Sequence, residues 1–161
     1  MRTLFSCVIT AGLLTAHVAA AQSCAQPMEK AAFDVASLKS ELMVVALKCH
    51  SYDRYDAFIN KFRPDLLVAE RNLNFYFNRT YGRRAQAEHD EYVTALANDQ
   101  SQVSGQLGDR FCASTLGLFD DAMQLRGGAD LPRLAAAKSL AQPMALVECT
   151  AAAGTAPQYR R

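Results

Sequence analysis

Four cysteines spread along the chain, Cys24, Cys49, Cys112 and Cys149, restrict its possible folds more than any other feature. Between the first two, the residues Val35, Leu38, Leu42, Val45 and Cys49 recur at alternating intervals of three and four, the spacing of one helical face. A helix from Met28 to Cys49 rises about 1.5 Å per residue and holds Cys24 and Cys49 about 30 Å apart. A disulfide requires Cα atoms within about 7 Å. Cys24 therefore cannot pair with Cys49, and two connectivities are left: Cys24–Cys149 with Cys49–Cys112, or Cys24–Cys112 with Cys49–Cys149. The first is preferred, because Cys49 lies on the apolar stripe of its helix and Cys112 adjoins Phe111.

Disulfides are expected because the chain opens like an exported protein. Arg2 precedes an apolar run from Leu4 to Leu14, and small residues end at Ala19, Ala20 and Ala21. That is the layout of a signal peptide over residues 1–21, cut before Gln22. The run is too short for a membrane anchor, and the residues before Cys24 depart from a lipid-attachment signal. Removal of Cys7 with the leader leaves an even cysteine count, and an exported chain reads that count as two disulfides. The cysteines are too scattered for the close pairs of a zinc site, so neither a metal nor another cofactor is expected.

Charge excludes a further class of function. Seventeen Lys and Arg stand against 16 Asp and Glu, and loss of Arg2 makes the balance even. Binding of nucleic acid or an anionic membrane through bulk charge is therefore not expected. A mature chain of about 140 residues suits one domain with a real core, and no later segment is apolar enough to cross a membrane.

Helical spacing dominates the remainder. Ser51 is placed to cap a second helix with Asp53 in its first turn, and Pro64 is expected to end it. A third helix runs from about Asp65 to Tyr81 and stops at Gly82 in a left-handed cap. The longest periodic stretch, from His89 through Leu107 to Met123, is interrupted at Gly105 and Gly108, with Asp109 able to cap a restart. Asp130 caps a last helix from Leu131 to about Leu140, and Pro143 ends it. The expected fold is an all-α, single-domain bundle of about five helices with two disulfides. Its stapled body spans residues 22–145, followed by a C-terminal segment, 146–161, with Cys149 and a small-residue tail.

Candidate sites are few. Cys49 and His50 are adjacent, but neighbouring helical residues point apart and a disulfide occupies the thiol, which argues against a nucleophilic pair. His50, Asp53 and Asp56 step by threes like ligands on one face, yet a break at Ser51 separates them. His89 lies among Glu88, Asp90 and Glu91, with no second ligand at helical spacing, and reads as a solvated first turn. Asp120 and Asp121 are adjacent and diverge. Asn78 heads an N-x-Thr sequon inside a predicted helix.

The aromatic and basic concentration in residues 52–81 is richer. Tyr52, Tyr55, Arg63, Arg71, Phe75, Tyr76 and Arg79 could form a ligand pocket or a partner surface with Arg and Tyr anchors. The plainer account is a tryptophan-free core that uses phenyl rings as bulk.

The runs "LKSELMVVALKC", "YDAFINKF", "LANDQSQ" and "FCA" resemble a group of small, uncharacterised, exported four-cysteine helical proteins of alphaproteobacteria. The resemblance covers roughly residues 38–113 and implies a periplasmic or secreted setting, with no chemistry attached. Together these readings point to a non-enzymatic helical protein that contacts an unknown envelope protein or has a structural role in the envelope. The alternative is a carrier with an aromatic-lined pocket. A hydrolase has no supporting motif.

Overall fold

The computed structural model describes residues 24–149; the expected leader and the tail beyond Cys149 lie outside them. Three long helices carry the fold: α1 (Pro27–Lys48), α2 (Tyr52–Tyr81) and α3 (Ala85–Leu107). Three short ones follow: α4 (Arg110–Thr115), α5 (Gly117–Gln124) and α6 (Leu131–Ala137). Single 3₁₀ turns occupy Gly82–Arg84 and Gly128–Asp130. The described residues thus hold four helices of eight residues or more and two shorter ones, which corrects the expected five.

The count differs chiefly at Pro64, which does not end a helix. The 30 residues of α2 run through it. Pro64 and Asn60 both face solvent, so the Asn60 carbonyl, which loses an intrahelical partner to the proline, remains open to water. Buried Phe58 and Phe62 before the proline, and Leu73, Tyr76 and Phe77 after it, dock both halves of α2 on the same body. Tertiary burial of about 1.5–3 kcal/mol per large side chain outweighs the local cost.

Gly105 is helical, and the break falls at Gly108. Gly82 (φ 55°, ψ −118°) and Gly108 (φ 52°, ψ −129°) both have positive φ, but their ψ lies outside the left-handed helical basin and near the first central position of a type II′ turn. Ser51, Asp109 and Asp130 stand at helix starts as expected, yet none makes a side-chain cap hydrogen bond. Asp130 instead pairs with Arg133 at 2.9 Å. The last helix stops at Ala137, short of Leu140, and Ser139 follows at φ 49°.

Helix α1 is the hub and packs on α2, α3, α4 and α6. Its C-terminal half joins Phe58, Phe62, Phe111, Phe119 and Leu131 in one core cluster. Its N-terminal half joins Leu73, Tyr76, Phe77, Tyr92 and Leu96 in a second, centred on the fully buried Phe33. Tyr76 and Tyr92 stand edge-on to that ring, with centroids 4.9 and 5.0 Å away. Disulfides Cys49–Cys112 and Cys24–Cys149 close the fold, the preferred connectivity. Beside the second, Ala25 N–H donates to Val147 O at 2.7 Å and Cys149 N–H to Ala25 O at 2.9 Å, so the segment ending at Cys149 lies across the start of α1.

Candidate functional site

Helix α2 distributes the predicted aromatic and basic residues around its circumference. Tyr52, Arg63 and Arg71 are exposed, and Phe75 is 61% exposed. Arg63 donates to Asn60 Oδ1 at 2.9 Å. Tyr76 is core, one residue from Phe75, and burial pushes its phenol up. Arg79 is structural: its guanidinium reaches both Glu29 oxygens, at 3.2 and 2.6 Å, and the Cys24 carbonyl at 2.8 Å. Glu29, 2% exposed, also accepts from Gln26 N–H at 2.7 Å. Tyr55 is half-buried, and burial, then the Asp56 charge, raise its phenol. These seven residues form no single surface.

The opening between α1, α2 and α3 is a different site. An apolar crevice of about 170 Å³ is walled by Val35, Ala36, Met43, Leu66, Ala69 and Leu73, with Tyr55 as its one aromatic side chain. Alanines at 32, 36 and 69 on facing helices leave the space that larger side chains would fill. Val35 and Leu66 belong to the first core cluster, Ala32 and Leu73 to the second, and Ala69 borders both. The crevice is therefore the seam between the two cores. It adjoins a wider groove of about 820 Å³ between α2 and α3, and Lys39, Leu66, Glu70 and Val93 wall both.

Charged groups from three helices converge there: Lys39 on α1, Arg63 and Glu70 on α2, His89 and Asp90 on α3. His89 is not the solvated residue its acidic neighbours suggest. Its side chain is 11% exposed, its ring lies 5.2 Å from that of Phe77, and Nε2 is buried without a hydrogen bond. Glu70 Oε1, 3.5 Å away, is beyond good hydrogen-bond length and accepts from Asn74 Nδ2 at 3.3 Å. This grouping is missed along the sequence because its members lie on separate helices. The available signal was Lys39, Glu70 and His89 flanking stripes of alanine and leucine.

The remaining candidates resolve into structure. His50 adopts φ 52° and Ser51 N–H bonds Ala46 O at 3.0 Å, the six-to-one bond that closes a helix in a Schellman motif. The Cys49–His50 corner is thus a helix terminus pinned to Cys112. Asp120 pairs with Arg54, and Asp121 with Lys138 at 2.6 Å, so the two carboxylates part to different cations. Asn78 Nδ2 donates to Asn74 O at 2.8 Å from within α2. Among the described residues, no group of three or more His, Cys, Asp or Glu is placed to hold a metal, and no helix is long and apolar enough to cross a membrane. Set against known proteins, the chain matches no family model, shows no significant similarity to a curated protein and no significant structural match to a solved fold.

Proposed function

We propose that the protein is a non-enzymatic carrier that holds a small amphipathic molecule between α1, α2 and α3. The observation that carries this reading is the apolar crevice at the seam of two cores, opening beside charged groups from three helices; such a combination of apolar floor and few polar groups is the usual form of a ligand site. Its floor is mainly aliphatic; of the rings expected to line a pocket, Tyr55 alone reaches the crevice, Tyr76 packs into the core, and Tyr52 and Phe75 face solvent. Two disulfides suit an oxidising compartment, and the leader-like start and the resemblance to exported proteins support a periplasmic or secreted carrier. Native mass spectrometry of protein released gently from the periplasm tests it. The expected result is a retained small-molecule mass that Ala36→Leu, which fills the crevice, removes without unfolding the chain. Ligand-free protein from every source, together with no amide shift changes near Ala36 and Leu66 in a fragment screen, overturns it.

One observation favours a second reading, contact with an envelope protein. Met28, Val68 and Phe75 are large apolar residues left exposed, with Arg71 one turn from Phe75. A partner with an apolar socket and an acidic rim would complement them. A photocrosslinking residue at position 75 should trap one such protein in cells, and failure to trap any rejects the contact.

A further inference from the structure

A second pocket, of about 510 Å³, opens on another side of α1, between α3, the α4–α5 turn and the segment after α6. Its polar wall is unbalanced. Gln100, 1% exposed, donates Nε2 to Ser37 O at 3.0 Å, while its Oε1 is buried with no partner. Ser114 Oγ and Thr115 Oγ1 both turn their protons back to Phe111 O, at 2.9 and 2.7 Å, so towards the pocket they offer lone pairs only. Glu41 lines the same wall without a hydrogen bond or cation among the described residues. The other charged residues of the wall are Asp121 and Lys138, paired with each other at 2.6 Å. The acceptors of Glu41, Gln100 and Thr115 thus lie on buried or half-buried residues, whereas the wall's remaining side-chain donors, on Lys138 and Ser139, belong to exposed ones. A buried acceptor without a donor is costly.

We infer that this pocket binds a small organic cation, a primary ammonium or guanidinium on a short chain, whose N–H groups satisfy Glu41 and the Gln100 carbonyl oxygen. An ammonium supplies three donors and a guanidinium five, matching an acceptor wall as a neutral alcohol cannot. Burial raises the pKa of Glu41, so its charge opposes folding where it stands, and a cation bound beside it would offset that cost.

The test pairs putrescine with its neutral isostere 1,4-butanediol in an amide and side-chain NMR titration of the disulfide-intact protein. Putrescine should shift the Gln100 side-chain amide and the backbone of residues 114–117, butanediol should not, and Glu41→Gln should weaken putrescine by about tenfold, the value of one charge-assisted hydrogen bond. Glu41→Gln should also raise the thermal midpoint at neutral pH. That gain should vanish below the ordinary carboxyl range, where Glu41 is protonated in the folded and unfolded chain alike. A variant that melts lower at neutral pH shows a structural Glu41 and overturns the proposal. So does equal response to the two probes, no response to either, or undiminished binding to Glu41→Gln. None of these outcomes bears on the crevice, which lies against other faces of α1.

Discussion

At the scale of single residues, Arg79 shows how a side chain that looks like a surface anchor becomes a structural one. It completes the hydrogen bonding of the buried Glu29, holds the Cys24 carbonyl and lies 5.6 Å from the Tyr76 ring centroid. Removing one partner of a buried ion pair leaves the other without compensation, so Arg79→Ala should cost about 3–5 kcal/mol in denaturant unfolding. A cost below about 1 kcal/mol, the range of an exposed pair, would return Arg79 to the surface. His50 offers the opposite case. An L-residue at positive φ carries a steric cost of about 1–2 kcal/mol, partly offset by the greater chain entropy that glycine loses on folding. His50→Gly should therefore stabilise the protein by about 0.5–1 kcal/mol, read from the midpoint of the same unfolding curve. Destabilisation would show that the imidazole makes a contact the backbone geometry does not reveal.

Among the helices, Pro64 separates what local chemistry dictates from what tertiary packing dictates. Pro64→Ala restores a backbone donor for Asn60 on an exposed face and should raise stability by about 2 kcal/mol, the relief of the helix-interior cost less the entropy regained by the unfolded chain. A loss on thermal melting would mean that α2 needs the proline's bend to seat Phe62 and Leu66. The apolar stripe of α1, the stop at Gly82 and the disulfide corner at Cys49 were legible in the sequence because each is set by neighbours within two helical turns or by a length constraint. The merger of two helices across Pro64 was not, because it depends on Phe58 and Tyr76 finding the same partner helix. The groove between α2 and α3 was still less legible. Lys39, Glu70 and His89 meet only after three helices pack, and the acidic neighbours of His89 pointed to solvent while its ring turns to Phe77.

In the whole molecule, two aromatic-rich cores share α1 and α2, and each has its own crosslink. Cys49 and Cys112 pack against the first cluster, whereas Cys24–Cys149 ties Ala25 to the segment that places Met144 and Leu146 on the second. That segment adds polar ties: Gln142 Nε2 donates to Phe33 O at 2.9 Å, and Tyr92 donates its hydroxyl to Gln142 Oε1 at 3.1 Å. Such an arrangement should open in parts, since cooperative units follow local packing density and covalent restraint. In a Cys24→Ala, Cys149→Ala double variant, which should lose about 2–4 kcal/mol, hydrogen exchange should accelerate across residues 24–37, around Tyr92 and over residues 141–149. Amides beside Phe58, Phe111 and Phe119 should keep their protection. Uniform acceleration would mean that the two clusters unfold as one. If they do open separately, the crevice on their seam gives a carried ligand leverage over both, because a molecule touching Val35 and Leu66 on one side and Ala32 and Leu73 on the other binds only when both clusters are closed. A ligand of the crevice should then slow exchange on both sides of the seam, including regions it does not touch.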